Sequence, residues 1–193
     1  MGKQRRIMVA ISGASGAVYA RRLIKVLPEA YDTIYLSASD NAIGIMREEL
    51  GVSDLAALIP IARQSQFRLL DFNDLSAPPA SGSHDCDGLV AIPCSMGLVG
   101  RIASGVSNDL VTRAADVCLK ERRKLILVVR ETPLSLIHLR NMTALTEAGA
   151  TILPAAPAFY GGPGSIGDLV DFVVDCVLRS LGLEIRLTKG WGE

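Results

Sequence analysis

The chain has 193 residues, with 20 basic and 20 acidic side chains, so its formal net charge at neutral pH is zero. This balance, with no basic stripe, argues against a nucleic-acid-binding protein, and the most apolar window, residues 89–100, is too short to cross a bilayer. Hydrophobic residues make up 49% and the mean hydropathy is +0.33. We therefore expect a sheet covered by helices on both faces, or a surface buried in an oligomer.

Cysteine and histidine usage argues against a metal site. The four cysteines, at positions 86, 94, 118 and 176, show no C-x-x-C spacing, and there are only two histidines, His84 and His138. No zinc motif can be assembled from them. The basic cluster at residues 3–6 precedes a predicted strand rather than a long apolar segment, which is not typical of a signal peptide. We expect a reduced, cytoplasmic protein without a metal.

Strand and helix patterns alternate along the chain. Strands are predicted at residues 6–11, 33–37, 88–92, 125–129 and 151–153. Helices are predicted at residues 18–27, 41–50, 108–119, 136–148 and 168–181, and glycines follow several of them as C-terminal stops. Residues 75–83, rich in Pro, Ser and Ala, are predicted to form a loop. This order predicts one doubly wound parallel α/β domain over residues 1–182, followed by a charged tail over residues 183–193.

The strand at residues 125–129 ends abruptly at Arg130 and Glu131, which Pro133 follows. Ligands of open α/β sheets bind at the carboxyl ends of the strands, so both charges fall where chemistry is expected. Arg130 can hold a phosphate through its planar fork of donors, and Glu131 can orient a partner or move a proton. The alternative interpretation is a surface ion pair at a strand end.

A glycine loop, Ser12-Gly13-Ala14-Ser15-Gly16-Ala17, lies between the first strand and the first helix. Backbone N–H groups and a helix N-terminus at one place form a ready phosphate site, to which the two serines add hydroxyl groups. The spacing is not that of a dinucleotide fold and there is no Walker lysine, so a tight turn that serves helix packing stays open. A second hydroxyl-rich turn, Cys94-Ser95-Met96-Gly97, follows the third predicted strand. The two turns and Arg130 together suit a mononucleotide.

Several further motifs occur in a fixed order. They are Pro78-Pro79-Ala80-Ser81-Gly82-Ser83, Ile92-Pro93-Cys94-Ser95, Arg113-Ala114-Ala115-Asp116-Val117, Arg130-Glu131-Thr132-Pro133-Leu134-Ser135, Leu153-Pro154-Ala155-Ala156-Pro157 and the terminal Trp191-Gly192-Glu193. With Gly13-Ala14-Ser15-Gly16, they resemble the UbiX/Pad family of flavin prenyltransferases over nearly the whole chain.

The resemblance implies a flavodoxin- or Rossmann-like fold in three layers, FMN as the bound flavin, no metal, and a dodecameric assembly. It implies transfer of a dimethylallyl group from dimethylallyl phosphate to reduced FMN, at N5 and then C6. The prenylated FMN then serves a separate UbiD-type decarboxylase, although older names of such families describe aromatic acid decarboxylases.

The same resemblance implies roles for individual residues. The expected FMN contacts are Gly13, Ala14, Ser15, Ser39, Ser95, Met96, Gly97, Leu98 and Arg130. The expected catalytic residues are Glu49, Lys120, Glu131 and Ser15. The expected contacts of the prenyl donor are Arg113, Lys120, Arg130, Tyr160, Cys176 and Trp191, with Arg113 reaching in from a neighbouring subunit. Cations and the tyrosine hydroxyl would stabilise the leaving phosphate, and Glu49, Glu131 or the released phosphate would accept the proton lost at ring closure.

One position departs from the family pattern. Cys176 stands where an arginine or lysine normally grips the phosphate, and the nearest basic residue is Arg179, about one helical turn further on. The phosphate pocket therefore either loses a cation or recruits Arg179, which leaves the prenyl donor, a monophosphate or a diphosphate, undecided.

Simpler interpretations remain for single residues. Lys120 could be a solvated helix end, Tyr160 a packed loop residue and Glu49 an exposed helix charge. His138 is expected to be structural and Cys94 to be a small buried residue rather than a nucleophile. Two rival functions stay open: an FMN-dependent cysteine decarboxylase, and a non-catalytic flavin carrier that serves a decarboxylase.

Overall fold

A computed structural model of the chain describes residues 4–190, and within that range a parallel sheet forms the centre of the molecule. Its strands are β1 (Arg6–Ile11), β2 (Thr33–Ala38), β3 (Phe67–Leu69), β4 (Gly88–Cys94), β5 (Lys124–Val129) and β6 (Thr151–Pro154). They lie in the order β3-β2-β1-β4-β5-β6, and every neighbouring pair is parallel. The order reverses direction between β1 and β4, which is the switch point where such sheets bind ligands.

Helices cover both faces of this sheet. They are α1 (Ala17–Val26), α2 (Asp40–Leu50), α3 (Met96–Ala103), α4 (Leu110–Lys120), α5 (Leu136–Glu147) and α6 (Ile166–Ser180). One apolar core joins the sheet to α1, α2 and α6, and a second joins its other face to α3, α4 and α5. The expected three-layer doubly wound fold is confirmed. The central strands are buried on both faces, which explains their continuous apolar runs.

The helix starts follow from local capping chemistry. Ser39, Ser95, Asp109, Ser135 and Ser165 each accept a backbone N–H of the following first turn. Gly51 closes α2 in a left-handed conformation, at φ 68°, which a residue with a Cβ adopts poorly. The predicted helices and strands recur within a few residues of their expected bounds.

Two elements were not expected from the sequence. Strand β3 has only three residues and lies at the sheet edge, too short for a recognisable alternation. Helix α3 carries two glycines, Gly97 and Gly100, and it is the burial of Leu98, Val99 and Ile102 that stabilises it. Strand β4 also extends through Pro93, because the register against β5 shifts between Ala91 and Cys94 and no ladder hydrogen bond is required of the proline.

The tail folds back onto the domain as far as the structure describes it. Leu183 is buried in the core of α1, α2 and α6, and Ile185 and Leu187 pack against the same core. Trp191, an expected site residue, lies outside the described residues. The division of the chain at residue 182 stays a prediction. No helix within residues 4–190 has the length and apolarity needed to span a membrane.

Candidate flavin site at the switch point of the sheet

Ser12 links the loop that follows β1 to the loop that follows β4, at the switch point of the sheet. Its hydroxyl donates to the carbonyl of Pro93 at 3.0 Å and accepts the N–H of Ser95 at 2.8 Å. Its own N–H also donates to the Pro93 carbonyl, at 3.2 Å. Ser12 is buried, so it joins the two loops to each other. The expectation that it offers a hydroxyl to a ligand is therefore wrong, because its hydrogen-bonding capacity is used inside the protein.

The first turn of α1 binds a carboxylate of this chain. Both oxygens of Glu49 accept the N–H of Gly16, at 3.0 Å each, and Oε2 also accepts the N–H of Ala17 at 2.8 Å. An anion thus already stands at the helix N-terminus, where the dipole and the unpaired N–H groups favour one. The glycine loop is therefore not an open phosphate site at Gly16 and Ala17. Glu49 is exposed, and its carboxylate is nevertheless bound to the backbone of the loop.

Gly13 and Ser15 form the exposed part of this loop, and Ala14 is buried. A Cβ at position 13 would stand 2.8 Å from the Cβ of Asn41, so only glycine lets the loop approach the first turn of α2. Ser39 caps α2 and lies next to the carboxyl end of β1, since its N–H donates to the Ile11 carbonyl at 3.1 Å. Asn41 is a wall of the site that the sequence analysis missed.

The N-terminus of α3 is an open anion site. Ser95 Oγ accepts the N–H of Leu98 at 3.3 Å, while no acceptor within residues 4–190 bonds to the N–H groups of Met96 and Gly97. No acidic residue occupies this first turn, unlike α2, which has Asp40 there. Two N–H donors at a helix end without a competing carboxylate are what a phosphate requires.

Arg130 lies beside this helix end. Its N–H donates to the Cys94 carbonyl at 3.3 Å, which places the start of the β5 loop next to the residue that precedes Ser95. Its Nε is buried, and no acceptor in residues 4–190 bonds to it. An unpaired buried guanidinium nitrogen is costly, so a ligand anion at this point would satisfy it. The donor set at the end of β4 and β5 fits the phosphate of a mononucleotide such as FMN.

Helix α3 itself carries a second guanidinium, that of Arg101, which the sequence analysis missed. Arg101 Nη1 is 4.0 Å from the point where a Cβ of residue 97 would stand, since long helical side chains lean towards the N-terminus. Its Nε is also buried without a partner, and Nη2 is 3.5 Å from Asp109. The spacing of a glycine and an arginine four residues apart at a helix start could have indicated it.

The contacts and burial of His138, Cys94 and Glu131 indicate what each of these residues does. His138 Nδ1 accepts the N–H of Ser135 at 3.2 Å and completes the capping box of α5, so its expected structural role is confirmed. Cys94 is fully buried, and burial raises the pKa of its thiol to about 12, which agrees with a packing role. Glu131 is exposed and accepts the N–H of Thr132 at 3.0 Å.

The Tyr160 loop packs against α6. The ring of Tyr160 stands edge-on to Phe172, with 6.1 Å between centroids, and Cys176 lies one turn further along α6. Arg179 does reach back along the helix: its Nη2 is 3.0 Å from Cys176 Sγ, while its Nε pairs with Asp175 at 3.1 Å.

Lys120 and Arg113 lie elsewhere, on α4. Lys120 contacts Glu121 and lies next to Gly82, and Arg113 Nε donates to the Ala80 carbonyl at 3.0 Å. Lys120 precedes the first residue of β5, whereas Arg130 follows its last. A strand of that length, Lys124–Val129, spans about 20 Å. One chain therefore does not bring Lys120 to Arg130.

Comparisons with known proteins agree with this architecture. The model of the Flavoprotein family matches residues 1–178. Flavin prenyltransferase UbiX of Pseudomonas aeruginosa is 44% identical over 204 residues, which cover 100% of this chain and 97% of that protein. Flavin prenyltransferase UbiX of Methanocaldococcus jannaschii is 42% identical, with 97% of this chain and 98% of the relative covered.

Solved structures give the same result. The crystal structure of AnUbiX (PadA1) in complex with FMN and dimethylallyl pyrophosphate has a TM-score of 0.88 and 41% identity, covering 98% of this chain and 100% of that one. A dodecameric FMN-dependent UbiX-like decarboxylase from Escherichia coli O157:H7 has a TM-score of 0.89 and 39% identity, covering 97% and 100%. The cysteine decarboxylase TvaF is 15% identical with a TM-score of 0.63, so that likeness shows the fold alone.

Proposed function

We propose that this chain, which belongs to the UbiX family of flavin prenyltransferases, transfers a dimethylallyl group from dimethylallyl phosphate to reduced FMN. The allylic C–O bond breaks and the phosphate leaves with the bonding electrons, while N5 bonds to the freed carbon and loses its proton. The double bond of the transferred group then takes up a proton at one carbon as its other carbon bonds to C6, and the C6 proton is lost. Bound reduced FMN supplies the nucleophile, so the protein binds, orients and stabilises charge.

The observation that carries this proposal is the anion site at the start of α3. Two N–H groups of that helix lie at the carboxyl ends of β4 and β5, beside the switch point, together with the buried Nε of Arg130, to which no acceptor within residues 4–190 bonds. Gly13, Ala14, Ser15 and Ser39 form the facing wall, at the ends of β1 and β2. We infer that the FMN phosphate lies at α3, rather than at α1, because Glu49 already neutralises the first turn of α1.

The candidate acceptors of the proton released at ring closure are Glu49, Glu131 and the released phosphate. Glu49 is held by three backbone N–H contacts, which fix its position beside Ser15. Glu131 is next to Arg130 and exposed. A positioned carboxylate within reach of the flavin edge acts as a general base, and the fixed one costs less reorganisation. We assign this role to Glu49. Glu131 instead orients the groups that surround the leaving phosphate.

A complete site requires a second copy of the chain. Lys120 and Arg113 carry the cations that a departing phosphate needs, yet they lie on α4, away from Arg130. Leu134, Leu136, Ile137 and Leu139 leave 43–68% of their area exposed at the start of α5, a surface suited to burial between subunits. The UbiX-like protein from E. coli is dodecameric. We propose a dodecamer in which α4 of one subunit completes the flavin site of another.

We extend the proposal to the enzyme that consumes the product and to the compartment of the protein. The product is consumed by a UbiD-type decarboxylase, the class of enzyme that uses prenylated FMN. The four cysteines are free thiols, three of them buried, which suits the reducing cytoplasm.

The mass of the flavin tests this function. The purified protein is incubated without oxygen with reduced FMN and dimethylallyl phosphate, and the flavin is extracted. We expect a mass increase of one dimethylallyl group less one proton, with no added metal. A non-catalytic flavin carrier, which the missing cation at Cys176 favours, would release FMN of unchanged mass and would contradict the proposal.

A further inference from the structure

A cavity of about 230 Å³ lies under the folded-back tail. It is enclosed by the Tyr160 loop, the first half of α6 and residues 187–189. Its apolar walls are Ala158, Pro163, Phe172 and Leu187. A small apolar group of a few carbon atoms would find hydrophobic contact on these walls.

The two acidic residues of this cavity are already engaged. Asp168 Oδ2 accepts the N–H groups of Gly164 and Ser165, at 2.8 and 3.0 Å, at the start of α6. Asp171 forms a two-point ion pair with Arg22, at 2.5 and 3.1 Å. Lys189 also lines the cavity, and no carboxylate within residues 4–190 pairs with it. The cavity therefore offers a ligand one cation, Lys189, beside apolar walls.

A buried carboxylate holds Lys189 in this place. Asp175, only 2% exposed, accepts the N–H of Leu187 at 2.9 Å through Oδ1. Its other oxygen pairs with Arg179 Nε at 3.1 Å. A buried charge with two good partners is a firm anchor, so the backbone two residues before Lys189 is fixed against α6.

The same contacts withdraw Arg179 from the cavity. Its guanidinium is shared between Asp175 and Cys176 Sγ, and neither Arg179 nor Cys176 lines the cavity wall. Arg179 thus neutralises Asp175, and a free cation must come from another element.

We propose that Lys189 binds the phosphate of the prenyl donor, with the dimethylallyl group against Phe172 and Leu187, and that Asp175 is the positioning residue that docks the tail. This inference rests on the proposed function, since it names the donor site of that reaction. Tyr160 lines the same cavity. The tail is therefore part of the donor site, and Lys189 supplies the charge that position 176 lacks.

Calorimetric titration of the FMN-loaded full chain with dimethylallyl monophosphate tests this. Lys189→Ala should weaken donor binding about ten- to a hundred-fold, the loss of one charge-assisted hydrogen bond, while Lys189→Arg keeps most of the affinity. Lys25→Ala, another exposed lysine at the end of α1, is the matched control and should bind as the wild type does. FMN affinity should be the same in all four proteins.

A second variant tests the anchor. Asp175→Asn keeps the size of the side chain but removes its charge, and it should weaken donor binding several-fold without changing FMN affinity. Unchanged donor affinity in Lys189→Ala, with a loss in Arg179→Ala, would overturn the inference and leave the proposed function intact. Failure of the wild type to bind FMN would contradict the proposed function, and this inference with it.

Discussion

The carboxyl edge of β1, β4 and β5 and the C-terminal end of α4 carry the two groups of residues that the reaction needs, and they differ in how complete they are. At the strand ends, Ser12 joins two loops, Glu49 caps the first helix and Arg130 stands by an open helix terminus. At α4, Lys120 contacts Glu121 and lies next to the half-buried Gly82. For the proposed reaction, the flavin half is preorganised within one chain, and we expect the half that holds the leaving phosphate to be completed by another copy.

This difference separates binding from chemistry. Substitutions at the strand ends should change FMN affinity, and those on α4 should change the rate of transfer without changing FMN affinity.

Lys120→Ala should lower the rate of prenyl transfer by about 10²- to 10³-fold, because a cation that stabilises a departing phosphate acts mainly in the transition state. The dissociation constant of this variant for FMN should stay within two-fold of the wild-type value, a change in binding free energy of about 0.4 kcal/mol at most. Single-turnover transfer and fluorescence quenching of FMN give the two numbers. A Lys120→Ala protein that loses FMN would place the lysine in the flavin half.

Arg130→Ala should weaken FMN binding about ten- to a hundred-fold, the effect of losing a charged hydrogen-bond donor. Arg130→Lys should recover only part of this affinity, since an ammonium lacks the planar fork. Riboflavin, which has no phosphate, is the control ligand: its affinity should be the same for the wild type and Arg130→Ala. An equal loss for both ligands would show that the arginine does not contact the phosphate.

Gly13→Ala should destabilise the protein by about 1–3 kcal/mol, because the new Cβ stands 2.8 Å from the Cβ of Asn41 and α2 must shift. Gly44 lies on α2, and a Cβ added there would meet no neighbouring atom within 4 Å, so Gly44→Ala is the matched control. It should stabilise the protein by about 0.5–1 kcal/mol through helix propensity. Urea unfolding measures both. Equal behaviour of the two variants would contradict the close approach of loop and helix.

Alkylation at pH 8 should modify Cys176 well before the other cysteines. Burial raises the pKa of Cys94 and Cys118 to about 12 and also raises that of Cys86, so almost no thiolate exists there at pH 8. Raising the pH increases the thiolate fraction of these buried cysteines, but they also stay inaccessible in the folded protein. Peptide mapping after brief iodoacetamide treatment identifies the site, and rapid modification of Cys94 would contradict its burial.

The sequence predicted those parts of the molecule that depend on local pattern. The apolar runs of β1, β4 and β5 and the serine and aspartate caps follow from short-range chemistry, so their positions could be predicted. The occupancy of the α1 terminus by Glu49 could not, because the contact joins residues 33 positions apart. Helix α3 was missed because tertiary burial outweighs its two glycines.

The division of the site between two edges of the sheet also could not be predicted from residue types. Lys120 and Arg130 are ten residues apart in the chain, yet β5 lies between them. A motif shows that both residues are present, and only the strand between them shows that they face opposite edges.

The central claim, that the flavin half and the Lys120 half of one site come from different chains, is tested most directly by mixing two impaired proteins. Arg130→Ala and Lys120→Ala are co-expressed with different tags, and doubly tagged assemblies are assayed for prenylated FMN at an FMN concentration that loads the wild type but not Arg130→Ala. Random assembly places two intact halves together in roughly a quarter of the sites, so activity should rise to about that share of the wild-type value. Activity that stays at the level of the two separate variants would show that each chain builds its site alone.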